Sequence, residues 1–449
     1  MNNNMKIRYK KIYGIFLAFL VATGCLADSK AGNEAQSVAS VTVVPAAKAA
    51  IVFSSAQFYL TQNQAIPAII PGLTGATPVL CGATPPLPAG LTIDPATCVI
   101  SGTPTTLQAL TTYSIAFSDQ GQNVATSVGI AVEKAAGTLT AISLAGNTLN
   151  MIYIPSKTAY NGPTDARQAA AGGFEIAISE VSYKFWSDVY TWATRGTGST
   201  GAGLYVFSNP GHQGGDAAGC AAGAVGNTQN PVTCLNWRDA MVWANALTEF
   251  YNSLNATPLA VVYTSDAAYT IPIRNSADGI YAASVSYPVA GTFDNPYVNP
   301  AANGYRLASS TEWELAGRYI NDSNLDGDIL DPGEYYPGNY AVGATASYLD
   351  FTATSAVAWF GNIVLAGTGN TVKTHPIVTA GSSATGLFDM SGNVAEWVFD
   401  WTPRCVGSAR SARGGSWMSQ ATDMQLGLET GMAPYVETVT IGFRVARTP

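Results

Sequence analysis

Short apolar runs broken by proline and glycine fill residues 48–134, as in "AIPAIIPGLTG" and "GLTIDPATCVISGTPT". Tyr113, Ile115 and Phe117 alternate with polar neighbours, and so do Val128, Ile130 and Val132. Period-two runs separated by turn residues predict a small all-β sandwich. Beyond residue 137 the pattern changes. "NWRDAMVWANALTEF" begins at Asn236, a good N-cap, with Asp239 three residues on. Trp237, Met241, Ala244 and Leu247 then recur at helical spacing and predict one buried face. "SSTEWELAGRY" pairs Ser309 with Glu312 as a capping box for a second helix. The rest of 137–449 reads as short strands and long loops rich in Gly, Asn, Thr and aromatics.

The N-terminus has a different pattern. A basic stretch, "MKIRYKKIYG", precedes a short apolar core, "IFLAFLVATG", and then Cys25. The core is too short to span a bilayer, so residues 1–24 read as a signal peptide. Small residues closing on a cysteine predict a bacterial lipoprotein lipidated at Cys25; the alternative is plain cleavage near Ala27. Residues 25–47, rich in Ala, Ser and Lys, predict a flexible tether. This places the chain in the bacterial envelope, lipid-anchored at the outer membrane or cell surface.

Composition narrows the function classes. Charged residues make up only 11%, against 47% hydrophobic, which fits a globular, loop-rich chain. Net charge is −8, and the leader carries four basic residues and no acid. The mature chain is therefore still more acidic, which argues against nucleic acid and against any membrane contact except through the lipid. An exported chain supports disulfides. Cys81 with Cys98, and Cys220 with Cys234, are the near neighbours in sequence. Cys405 is then left over, as a free thiol or as a sign that one pairing is wrong.

Two resemblances follow. "LPAGLTIDPATCVISGTPT" resembles the immunoglobulin-like repeat of bacterial surface proteins, with Cys98 at a position that is usually Gly. The series "RLASSTEWE", "DMSGNVAEW", "RGGSW" and "GFRVAR", spread over 149–447, resembles the sulfatase-modifying factor (formylglycine-generating enzyme) family. That resemblance implies an α+β, C-type lectin-like fold with little regular secondary structure.

The family's enzymes carry two copper-binding cysteines after the "GGS" turn. Matched residue by residue, those positions are Ser419 and Met424, and neither side chain can replace a thiolate. An iron-dependent branch uses a histidine cluster, but this chain has only His212 and His375, far apart. Copper and iron are both disfavoured. In a third branch the segment between "GGSW" and "GFR" is a variable binding surface. The resemblance thus implies a ligand site on residues 418–440, with Met418, Gln420, Thr422, Gln425, Tyr435 and Glu437 as contacts for a protein or glycan. The competing expectations are an exported oxidase acting on a thiol or protein cysteine, and a purely structural envelope protein without a pocket.

Calcium enters in two places. The family match implies a site at Asn393, Val394 and Glu396. Separately, "NDSNLDGDILDPGE" opens like an EF-hand loop, with Asp322, Asn324, Asp326 and Asp328 as oxygen ligands and Gly327 at the turn. Its closing acid, Glu334, falls one position late.

Overall fold

The computed structural model describes residues 48–156, 172–195, 203–216, 218–220, 227–277, 289–325, 329, 331–361, 373–403 and 405–449. Cys25, Asp326 and Asp328 lie outside the described residues.

The predicted alternation builds the first domain. Its main sheet has four strands in the order Gln57–Thr61, Gln122–Glu133, Gln108–Asp119 and Val79–Thr84. The first pair is parallel and the others antiparallel. Gln120 and Gly121 both have positive φ, which suits the two-residue turn of the central hairpin. Tyr113, Ile115, Phe117, Val128 and Ile130 are buried together with Phe58 and Leu60. Cys81 and Cys98 form a disulfide inside this core. Cys98 has φ +59°, a left-handed value that explains why the related repeats favour Gly there.

Among the described residues the second domain holds two larger sheets and two two-stranded ones. One has five strands in the order Arg306–Leu307, Val445–Arg447, Phe174–Ala177, Asn147–Ile154 and Leu139–Leu144. The other runs Glu429–Met432, Arg410–Arg413, Ala395–Trp401 and Ile441–Phe443. The C-terminal residues thus enter both sheets, and Val445–Arg447 is an interior strand.

Both predicted helices form. The first, Trp237–Leu254, has the full Asn236–Asp239 capping box. It is buried on every side from Trp237 to Thr248, not on one face as expected, so it is the centre of the core. Its polar residues are satisfied: Asn245 donates to the carbonyls of Tyr263 and Ile273. The second, Ser310–Arg318, is capped by Ser309 and Glu312 as read. A third helix, Tyr183–Thr194, stands where only strands and loops were expected. Ser182 caps it, and Trp186 stacks on Trp243 of the central helix at 5.6 Å between ring centres. A short helix, Phe351–Ser355, adds a fourth.

Candidate functional site

The signature segments meet in a buried charge lattice. The Glu396 carboxylate accepts both arms of the Arg444 guanidinium, and Trp313 Nε1 donates to it at 2.7 Å. Arg318 and Arg413 both donate to Glu314, and all three side chains are fully buried. Glu180 accepts from Asn393 Nδ2 at 2.8 Å and from the Val394 amide at 3.0 Å. Burial pushes the Glu180 carboxyl well up, and Asp389 and Glu396 add to that. Asp389 rises to about 6 for the same first reason. These residues tie helix Ser310–Arg318, the Asp389–Glu396 turn and both C-terminal strands into one rigid frame.

This use of the turn differs from the calcium reading. Both Glu396 oxygens are engaged by Arg444, and Asn393 Oδ1 accepts the His375 amide at 2.9 Å. Asn393 and Glu396 therefore serve here as anchors of the frame. Among the described residues, no three His, Cys, Asp or Glu side chains are grouped to hold a metal.

The frame supports the "GGSW" turn. Gly415 has φ +67°, and a Cβ there would come 2.7 Å from the Asp423 carbonyl oxygen, so the turn requires glycine. The Trp417 ring is buried; its Nε1 donates to the Val439 carbonyl, and its amide donates to the Asn393 carbonyl. Ser419, at the first expected cysteine position, has its hydroxyl within 3.2 Å of Ser416 Oγ. Met424, at the second, is 0% exposed and packs with Ala341, Ala344, Val357, Ala358 and Phe360.

Residues 418–440 are consequently not one free loop, which corrects the expectation that the whole segment could vary. Ala421, Met424 and Leu426 are core, and Glu429–Met432 pairs with Arg410–Arg413. What remains at the surface matches most of the expected contacts. Met418 is 55% exposed, and Gln420, Thr422, Tyr435 and Glu437 are exposed as well. Gln425 is half-buried and donates to the Thr422 carbonyl.

These residues rest on two supports. The Met418 backbone lies against Gly361, where an added Cβ would come 2.8 Å from the Met418 carbonyl oxygen; Gly361 donates to the Ser419 carbonyl and Asn393 to the Trp359 carbonyl. Two residues before Gly361 the Trp359 ring stacks on His375 at 3.9 Å between ring centres, both partly buried. Tyr435 instead lies 5.9 Å from the Arg238 guanidinium, which is paired with Asp294. The Trp359–His375 platform was missed in the sequence because His375 was weighed only as a metal ligand. Burial, aided by Lys373, holds the His375 imidazole below its ordinary value. His212 lies on a strand paired with Val232–Thr233.

The expected disulfide Cys220–Cys234 is present, and Cys405 is free and exposed. A cavity of about 320 Å³ reaches Glu180 between Ser179, Ser182, Lys184, Gln229 and Val378. Two others, of about 350 and 580 Å³, open beside Arg306 and beside Trp192. Residues 418–440 line none of these three.

The pattern of the sulfatase-modifying factor enzyme 1-like domain matches residues 140–449, and an Ig domain pattern matches residues 40–133. The chaperone protein LppX of Paenibacillus barcinonensis is 24% identical over 310 residues, covering 64% of this chain and 86% of its own. Among solved structures, Treponema denticola variable protein 1 is similar, with 21% identity and a TM-score of 0.46 over 70% of this chain and 99% of that one. PvdO from Pseudomonas aeruginosa is similar with 17% identity and a TM-score of 0.39, over 71% of this chain and all of its own.

Proposed function

This chain belongs to the sulfatase-modifying factor enzyme 1-like domain family, and we propose that it uses the domain for binding and not for catalysis. The observation that carries this is the fate of the two cysteine positions. Ser419 is a hydroxyl bonded back to Ser416, and Met424 is core. Neither offers a thiolate for copper or for redox exchange.

What the frame does present is an open patch: Met418, Gln420 and Thr422, with the Trp359–His375 rings alongside. Adaptable Met and rigid aromatic surface suit contact with another macromolecule. An open patch outside the three described cavities favours a protein partner over a small molecule. The reading is of an envelope lipoprotein, anchored through Cys25, that displays this patch beyond an Ig-like spacer. The chaperone name of the Paenibacillus relative is in keeping with a binding role.

The test has two arms. Purified protein given copper and oxygen should convert no cysteine peptide to formylglycine above the no-protein control. Conversion clearly above that control would overturn the reading in favour of an oxidase. Fatty-acid analogue labelling in cells should tag the protein, and Cys25→Ala should abolish the tag.

A further inference from the structure

In the acidic loop, Asp322, Asp331 and Glu334 are not grouped to hold a metal, and Asn324 Nδ2 bonds Asp331 Oδ2 at 2.9 Å. Hydrogen bonds converge instead beneath the binding patch. The patch is drawn from stretches far apart in sequence, around Trp359, His375 and Trp417–Met418, and one residue bonds the backbone of all three. Asn393 is 0% exposed and has φ +57°, a left-handed value that Asn tolerates better than most side chains. Its amide donates to the Trp359 carbonyl at 2.8 Å, and its carbonyl accepts the Trp417 amide at 2.8 Å. Its side chain brackets His375: Oδ1 accepts the His375 amide at 2.9 Å, and Nδ2 donates to the His375 carbonyl at 3.2 Å. Every polar atom of Asn393 is used, and both rings of the Trp359–His375 stack belong to residues bonded to it.

Glu180 supplies the second observation. It is 2% exposed and stands between strand Phe174–Ala177 and helix Tyr183–Thr194. Its Oε2 accepts from Asn393 Nδ2 at 2.8 Å, and its Oε1 accepts the Val394 amide at 3.0 Å. Two consecutive residues of the turn are thus held by one carboxyl. The bond to Nδ2 keeps the Asn393 amide in the orientation that leaves Oδ1 for the His375 N–H. With the amide reversed, Nδ2 would face that N–H, donor against donor.

We propose that Asn393 fixes the spacing of Trp359, His375 and Trp417 in the binding patch, and that Glu180 is the positioning residue that orients it. This rests on the binding reading above and names what sets the geometry of that surface. A partner then meets a face whose pieces are already in place, and little ordering cost falls on association.

The test follows the full chain without any partner. Diethyl pyrocarbonate modifies histidine, and the chain has two, so His212, on a strand paired with Val232–Thr233, is the internal reference for His375. Asn393→Gly keeps the left-handed backbone and its bonds to Trp359 and Trp417 but deletes the bracket on His375. It should raise the ratio of His375 to His212 modification. Hydrogen exchange of the His375 amide should quicken roughly tenfold, as loss of a buried hydrogen bond implies. The Trp417 amide, and the Val378 amide held by Asp389, should stay slow. Glu180→Gln sets a donor against the N–H groups of Asn393 or Val394 and should raise the same ratio. An unchanged ratio in Asn393→Gly overturns the role of Asn393. A ratio that rises there but not in Glu180→Gln overturns the role of Glu180. Equal rises at both histidines, or faster exchange at Trp417 and Val378 as well, mean general loosening and overturn the proposal. Neither readout needs a partner, so this result and that of the formylglycine assay fail separately.

Discussion

Truncating Met424 to Ala tests whether the segment after "GGSW" is core or display. The side chain is fully buried among Ala341, Ala344, Val357, Ala358 and Phe360, with its methyl under Gly415. Removing it exposes no compensating polar partner and leaves a void whose walls are other side chains and the Gly415 backbone. Transfer of a fully buried Met is worth about 1.5–3 kcal/mol. The cavity left behind brings the expected loss to about 2–5 kcal/mol. Met418 is 55% exposed, six residues earlier in the same segment; truncating it should stay within about 0.5 kcal/mol. Met424→Leu keeps the volume and should cost less than about 1.5 kcal/mol. Calorimetry of the full chain resolves the larger domain's transition, where Met424→Ala should lower Tm by several degrees and Met418→Ala should leave it in place. Equal shifts for the two alanine variants, in either direction, would refute the division into buried anchor and displayed surface.

Three further outcomes are expected. Trp417→Ala should destabilise by about 3–5 kcal/mol in the same assay, because its buried ring and its bond to Val439 are lost together. Arg444→Met should cost about 3–5 kcal/mol by stranding Glu396, and Arg444→Met with Glu396→Leu should recover much of it; no recovery in the double variant would speak against the pair. Asp389 has a folded pKa of about 6, above its ordinary 3.8, so the folded state binds this proton first and gains stability as pH falls from 7.5 toward 4. Asp389→Asn should flatten that part of the stability curve and gain about 2–3 kcal/mol at pH 7.5, read by denaturant titration across pH; an unchanged curve would rule the burial effect out.

The parts of the molecule legible in the sequence were those written locally. Strand alternation at Tyr113–Phe117 and the caps at Asn236 and Ser309 depend on neighbours a few residues away. Helix Tyr183–Thr194 was not legible because its aromatic and β-branched residues have weak helix preference, and its packing partner Trp243 is distant in sequence. The surface 418–440 was legible as a frame with a filling. The burial of Met424 and Leu426 was not, since it is decided by side chains from Ala341–Phe360 and the Ile152–Ala446 core. The tie of Glu396 to Arg444 was not legible for a related reason, since the two stand 48 residues apart.

The interior position of Val445–Arg447 governs when the second domain can exist at all. A chain made from its N-terminus can finish the Ig-like sandwich by residue 133, but the five-stranded sheet lacks an interior member until Val445–Arg447 is made. Arg444 comes only three residues before the end of that strand, so the charge of Glu396 goes unanswered until the same moment. A stop codon as late as position 440 therefore removes both a strand from each sheet and the counter-ion of the lattice. Completion of the fold therefore waits on Ile441–Arg447, and a product cut before them stays open to proteases.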